Sequence, residues 1–269
     1  MFRMQDKVAI VSGGGSSIGA EIVRAFAEQG SRVVIADIAD DEGAALEREL
    51  GDGALFVHCD LAEEDSVRGC VDAAMQRFGR IDYVVNSAAL YQDQGPESTV
   101  ADWRRSFDVN VIGPVMLVRH ARSHLAKQRG AVVNVTSISA KVAQAGRWSY
   151  PASKAALLQA TRSMALDLSA DGIRVNSVSP GWTWAGGMEK LGLTRPAVDR
   201  VAAPFHLCGR AGDRREIANA VLFLCSDLAS FVNGADLAVD GGYSAMGPEA
   251  RPSAFAALIE AIGERPNEN

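Results

Sequence analysis

Seven short runs of small and branched apolar residues constrain this chain more than any other feature. Val8–Val11, Val33–Ala36, Leu55–Val57, Ile81–Val85, Val132–Val135, Ile173–Val178 and Leu237–Val239 are rich in apolar residues, with Asp82 in the fourth and Arg174, Asn176 and Ser177 in the sixth as the main exceptions, and all are too short for core helices. A strand that is apolar on both of its alternating faces has to be covered on both, as strands of a parallel sheet are. The stretches between the runs carry helical spacing instead: Ile18, Ile22, Val23, Phe26 and Ala27 share one face of a helix. Strand–helix alternation of this kind gives parallel units joined by right-handed crossovers, hence an α/β fold with one doubly wound, seven-stranded parallel sheet.

No linker, low-complexity tract or fixed-period repeat interrupts the alternation, so residues 1–247 are predicted to form one domain. Two segments break its rhythm. From Gly181 to about Gly209 the chain clusters Trp, Gly, Pro and Thr, which predicts a substrate lid over roughly 182–209. Residues 248–269 form an extension, in which Pro252–Ile262 is expected to be a short helix. The formal charge of −6 argues against nucleic acid or an anionic membrane as the main partner. The N-terminus lacks the hydrophobic region of a signal, and a cytoplasmic location is expected. Four cysteines without C-x-x-C spacing are expected to be buried, reduced thiols. His58, His120, His124 and His206 have no metal-ligand spacing, so no metal is expected.

The first strand runs straight into Ser12-Gly13-Gly14-Gly15-Ser16-Ser17-Ile18-Gly19 and then a helix. Main-chain amides at a helix N-terminus receive a phosphate, and glycines let the backbone come close to it. The spacing fits neither Gly-x-Gly-x-x-Gly nor a P-loop. Asp37 ends the second strand, 18 residues past Gly19, where a carboxylate binds ribose hydroxyls and repels a 2′-phosphate. Neither Ser16 nor Ile38 supplies a cation to rescue that phosphate, so NAD is favoured over NADP. The plainer reading of Asp37 is a turn or helix-capping residue.

Tyr150 and Lys154 lie at i and i+4, on one face of a helix, and Ser137 lies 13 residues before Tyr150. A tyrosine ordinarily titrates near ~10; making it a base near pH 7 takes roughly 4 kcal/mol of preferential stabilisation of the phenolate. A neighbouring ammonium is the expected source, which points to alcohol–carbonyl redox chemistry. Alone, Tyr-x-x-x-Lys is a common chance pattern on a solvated helix; its company in the chain gives it weight.

Together these motifs resemble the short-chain dehydrogenase/reductase family, and the likeness runs from about Lys7 to Gly242. The resemblance implies a Rossmann-type domain, usually in a homotetramer or dimer, with Asn110, Ser137, Tyr150 and Lys154 as catalytic tetrad. Tyr150 would be the general acid/base, Lys154 would lower its pKa and bind the nicotinamide ribose, Ser137 would hydrogen-bond the substrate oxygen, and Asn110 would hold a proton-relay water. Two plainer roles stay open: a helix-bend function for Asn110, and Ser139 or Thr136 as donor in place of Ser137.

The resemblance further implies a cofactor site of Gly13, Ser16, Ser17, Ile18, Gly19, Asp37, Ile38, Asp60, Leu61, Asn86, Ala88, Tyr150, Lys154, Pro180, Gly181 and Thr183. Three positions depart from the family pattern. Ser17 replaces the middle glycine of the phosphate turn, where a serine fits if its φ is negative. Ala89 replaces the glycine ending Asn86-Ser87-Ala88-Ala89, and Ala185 stands where a Thr or Ser usually meets the carboxamide, with Thr183 two residues earlier. The substrate pocket is expected to draw on Ser139, Gln144, Trp148, Trp182, Trp184 and Met188. Those tryptophans suggest a bulky, apolar, cyclic secondary alcohol, unless they pack the lid onto the core. The alternatives are an NADPH-dependent ketoreductase of acyl or sugar substrates, which Asp37 opposes, and a non-catalytic NAD-binding module.

Overall fold

The structure, a computed structural model, describes residues 2, 4–185, 188 and 191–247. The extension 248–269, with the helix expected at Pro252–Ile262, lies outside the described residues.

All seven expected strands form: β1 (Val8–Ser12), β2 (Arg32–Asp37), β3 (Ala54–His58), β4 (Tyr83–Asn86), β5 (Ala131–Val135), β6 (Arg174–Pro180) and β7 (Asp236–Val239). They make one sheet in the order β3-β2-β1-β4-β5-β6-β7, and every pairing is parallel. The alternation of side chains across the pleat explains the apolar runs. Ala9, Val11, Val33, Ile35, Val85 and Val133 point to one face. There they meet Ile22, Val23 and Phe26 of α1 (Ser17–Glu28), and Val221 and Leu222 of a late helix, Arg214–Cys225. Ile10, Val34, Val84, Val132 and Val175 point to the other face. There the cover comes from α3 (Glu64–Phe78) and from α5 (Gly113–Gln128), while α2 (Asp40–Leu50) packs along β3 at the sheet edge. Strand β4 begins later than the expected Ile81. Asp82 instead closes the sheet's lower end: its carboxylate accepts the Val8 amide at 2.9 Å and pairs with Arg80 and Lys7.

Strand order reverses between β1 and β4, which opens a crevice at their C-terminal ends. Two further helices bring side chains there. α4 (Val100–Phe107) runs into α5 through one π-helical turn, Asp108–Ile112, and α6 (Ser149–Leu168) follows β5. Among the described residues, the last two α-helices are α7 (Arg195–Ala202) and α8, the late helix just described.

The lid segment makes a small core of its own. Val198, Ala202 and Ala211 pack with Trp182, Trp184 and Met188, and the Trp182 ring stacks on Phe205 at 5.7 Å. Three cysteines are buried as expected, but Cys208 is exposed, because it lies on the surface turn that ends the lid. Among the described residues, no helix is long and apolar enough to cross a membrane.

Candidate active site

The phosphate-turn residues are set by backbone geometry. Gly13 has φ +66°, and a Cβ there would sit 2.6 Å from the Ala88 Cα; a Cβ on Gly19 would sit 1.9 Å from the Gly13 carbonyl oxygen. No L side chain fits either place, so the turn folds flat against α1 and against Ala88. Ser17 takes φ +50°, contrary to the negative value expected of a serine at that position. It holds a left-handed conformation that glycine adopts freely and a serine does not, a strain of about 1 kcal/mol or more. The Ser16 hydroxyl makes no capping bond. The first-turn amides of Ser17, Ile18 and Gly19 therefore keep their donors and the positive end of the helix dipole for an anion. This cradle fits a pyrophosphate.

Asp37 does two things at the end of β2. Its Oδ2 accepts the Gly15 amide at 2.8 Å and its Oδ1 the Ala39 amide at 3.0 Å, so the turn role weighed for it is real. Each oxygen keeps a second lone pair for a ribose hydroxyl. Beside it Ile38 is exposed and Ser16 is exposed, and neither is a cation. Asp60 caps its own turn through the Ala62 amide at 2.9 Å, next to buried Leu61. Asn86 is pinned by its Nδ2 to the Asn134 Oδ1 at 2.8 Å, and its own Oδ1 is buried with no donor among the described residues.

The tetrad residues converge from β5, the π-turn and α6. Ser137 follows β5; its hydroxyl donates to Ser139 Oγ at 3.1 Å, and Ser139 in turn donates to Gln144 Oε1 at 2.8 Å. A polar wall of Ser137, Ser139 and Gln144 results. Asn110 is fully buried, with Oδ1 on the Leu90 amide at 2.7 Å and Nδ2 on the Leu90 carbonyl at 3.1 Å and Ser153 Oγ at 3.0 Å. The extra residue of the π-turn aims it there. Its main-chain bonds realise the bend-satisfying role weighed for it, alongside any role toward Lys154.

Lys154 is 1% exposed, donates from Nζ to the Val135 carbonyl at 2.8 Å, and lies 5.9 Å from the centre of the Tyr150 ring. Burial pushes the ammonium down from its ordinary 10.5 to about 7. Tyr150 moves the opposite way from the expectation that Lys154 lowers it. Burial pushes the phenol well above its ordinary value and Tyr91 adds to the rise, while Ser137 and Arg147 pull it down less. The reason is that desolvation acts against the charged form of both groups, and Lys154 is turned to a carbonyl.

Pro180 ends β6, and the Gly181 amide donates to the Val239 carbonyl at 3.1 Å. Thr183 is buried and donates to the Gly181 carbonyl at 3.2 Å, whereas Ala185 brings no hydroxyl. Trp148 is exposed at the start of α6, unlike Trp182, Trp184 and Met188, which belong to the lid core. Lys141, a charge near the tetrad, is paired with Asp236, a part-buried residue whose carboxylate also accepts from Ser177 and Ser179.

Three residues escaped sequence reasoning. His206 is buried against the lid: its Nε2 accepts the Trp182 amide at 3.2 Å, which leaves the proton on Nδ1 to donate to the Ala202 carbonyl at 2.9 Å. The Tyr91 ring lies tilted against that of Tyr150 with ring centres 5.0 Å apart. Asp93 accepts the main-chain amide of Tyr150 itself at 2.8 Å. The only sequence signal for the last two was a Tyr-Gln-Asp-Gln-Gly-Pro turn just downstream of β4.

A glycine-lined anion cradle beside a buried serine, tyrosine and lysine, all at the carboxyl end of a doubly wound parallel sheet, defines a nucleotide-dependent oxidoreductase. A family model described as enoyl-(acyl carrier protein) reductase matches residues 13–244. L-fucose dehydrogenase of Bos taurus is 41% identical over 245 residues, 89% of this chain and 90% of the relative. Cis-4-hydroxycyclohexanecarboxylate dehydrogenase of Sinomonas cyclohexanicum is 42% identical over 246 residues, 90% of this chain and 98% of the relative. A solved 7α-hydroxysteroid dehydrogenase, in complex with NADH and 7-oxo glycochenodeoxycholic acid, superposes with a TM-score of 0.84 at 33% identity, covering 89% of this chain and 95% of that one. The chain belongs to the short-chain dehydrogenase/reductase family and is an oxidoreductase of CH–OH groups, a class that works with a nicotinamide cofactor.

Proposed function

We propose that this protein oxidises a cyclic secondary alcohol with NAD, using Tyr150 as the proton acceptor. The observation that carries the reading is the convergence of Ser137, Tyr150 and Lys154 beside a cradle whose rim is the Asp37 carboxylate. Two relatives are named for hydroxyls on alicyclic rings, and that supports a ring-borne alcohol here. Asp37, flanked by Ser16 and Ile38, neither of them a cation, supports NAD over NADP. The polar wall Ser137–Ser139–Gln144 supports a pocket that is apolar on one side only, with hydrogen-bonding capacity toward further substrate oxygens.

Within this reading the cradle amides of Ser17 to Gly19 hold the pyrophosphate and Asp37 the adenosine ribose, with Asp60, Leu61, Asn86 and Ala88 along the crevice. Pro180, Gly181 and Thr183 hold the nicotinamide end. When bound, the oxidised nicotinamide supplies the hydride acceptor and a positive charge. Ser137 hydrogen-bonds the substrate oxygen, and Tyr150 takes the hydroxyl proton as charge shifts toward that oxygen. The chain alone holds Tyr150 as a neutral phenol, so its deprotonation depends on cations gathered at the site. Lys154, poised near neutrality, exchanges protons readily there, and Asn110 braces the helix turn behind it. Trp148, Trp182, Trp184 and Met188 form the outer pocket and lid. The protein acts as a homotetramer in the cytoplasm, as one catalytic domain over 1–247 with an added C-terminal segment.

Initial rates at 340 nm with NAD and NADP, on alicyclic, steroid and aryl carbinols, sugars and hydroxyacyl thioesters, test this. Turnover of ring alcohols with NAD, abolished in Tyr150→Phe with NAD binding retained, is the expected result. Turnover with NADP alone, or undiminished turnover in Tyr150→Phe, overturns it.

A further inference from the structure

Asp93 lies in the loop between β4 and α4, and its carboxylate is divided between two tasks. Oδ1 accepts the Gly95 amide at 2.9 Å and the Ser98 hydroxyl at 3.4 Å, closing its own loop into a turn. Oδ2 reaches across to α6 and accepts the amides of Trp148 and Tyr150, each at 2.8 Å. The sequence of α6 creates the need for such an acceptor. Its first turn is Ser149-Tyr150-Pro151; proline has no N–H, and the boundary residue Trp148 caps nothing with its side chain. The leading amides must bond outside the helix, and a carboxylate there also meets the positive end of the 20-residue helix dipole.

The environment of Asp93 matches that task. Burial works to raise its carboxyl, but the amides of Tyr150, Gly95 and Trp148 and the Ser98 hydroxyl outweigh it and hold it below the usual range. Two residues upstream, the Tyr91 ring lies 5.0 Å from the Tyr150 ring at an interplanar angle of 30°. Arg147, just before the helix, donates to the Tyr91 carbonyl at 3.4 Å, a second tie between the same two segments. One side chain thus fixes the backbone of the phenol and the loop that covers it.

We propose that Asp93 is a positioning residue for Tyr150: it clamps the β4–α4 loop to the first turn of α6, and so sets the phenol and holds the Tyr91 ring against it. The proposal rests on the reading of Tyr150 as the reactive base. Its effect falls on the chemical step, because misplacing a reacting group by about 1 Å costs on the order of a hundredfold in rate. Cofactor affinity, set by the cradle at the other side of the crevice, is left alone.

The test compares Asp93→Ala, which removes the acceptor, with Asp93→Asn, whose amide oxygen still serves the Trp148 and Tyr150 amides. Steady-state kcat and KM on the best ring alcohol are measured beside NAD affinity by protein fluorescence. Asp93→Ala is expected to lose about 10- to 100-fold in kcat with KM and NAD affinity changed by less than about threefold, and Asp93→Asn to recover most of the loss, remaining about threefold down. Unchanged kcat in Asp93→Ala overturns the proposal, as does a parallel collapse of NAD affinity in both variants. If Asp93→Ala does not accumulate folded, Asp93→Ser, whose shorter side chain loses the reach to both amides, takes its place, and unchanged kcat there overturns the proposal instead. Tyr150→Phe, run alongside, separates the two ideas: retained turnover there removes the base assignment, whatever Asp93 does.

Discussion

Replacing Lys154 by Met is expected to stabilise the protein while ending turnover. The two side chains have similar length and volume, so the buried slot stays filled. What changes is the charge. Burial pushes Lys154 from 10.5 to about 7, with no carboxylate among the described residues to offset it. At ~1.36 kcal/mol per pH unit, that gap corresponds to about 5 kcal/mol of penalty for holding the ammonium in the fold. Methionine removes the penalty but strands the Val135 carbonyl, which costs about 2 kcal/mol. The net gain below pH 7 is therefore about 3 kcal/mol. The sign follows from linkage. The folded pKa is depressed, so between about 7 and 10.5 the unfolded chain binds more protons than the folded one, and wild-type stability rises with pH across that window. The advantage of Lys154→Met is full below pH 7, fades through the window, and crosses zero near pH ~9, where the remaining penalty equals the lost hydrogen bond. Urea denaturation at fixed pH values from 6 to 10, followed by circular dichroism, measures the gap; groups that titrate alike in both proteins cancel. A gap that does not change with pH, or a methionine variant less stable at pH 6, refutes the reasoning.

Ser17→Gly relieves a residue held at φ +50° and is expected to raise the thermal midpoint by a few degrees, about 1 kcal/mol, with NAD affinity equal or better; calorimetry with and without NAD checks both. Glu216 is held down to about 2, first by its bond to Arg210, and also accepts the Asp213 amide at 2.7 Å where the lid joins α8. The pair is half-exposed, so Glu216→Gln is expected to cost no more than about 1 kcal/mol above pH 4.5. That loss should vanish as pH falls toward 2, where the wild-type carboxyl is also protonated.

Most of the fold was legible because its causes are local. Alternating pleat positions that are apolar on both faces can only be strands of a covered sheet, and Gly13 and Gly19 stand where a Cβ would strike the Ala88 or Gly13 backbone. The limits appear where a cause is remote or depends on burial. Ser17 reads as a serine that fits the phosphate turn at negative φ, but its positive φ comes with the turn folded over Gly13. Asp93 reads as an ordinary turn acid before Gly-Pro, because the amides it serves lie 55 and 57 residues downstream. Trp182 and Trp184 read equally as pocket wall or lid core, since an aromatic residue in a loop carries no periodicity to say which side it faces.

Tyr150 and Lys154 show the limit most clearly. Spacing places them on one helix face, and it suggests that the ammonium stabilises the phenolate. Whether it does depends on what else surrounds the pair. Here β5 offers Lys154 a carbonyl, and the loop after β4 lays Tyr91 on the phenol, so burial disfavours both charges at once. On the proposed reading of Tyr150 as the base, burial keeps its phenol neutral until cations are brought to the site, so proton abstraction is expected only with the site filled.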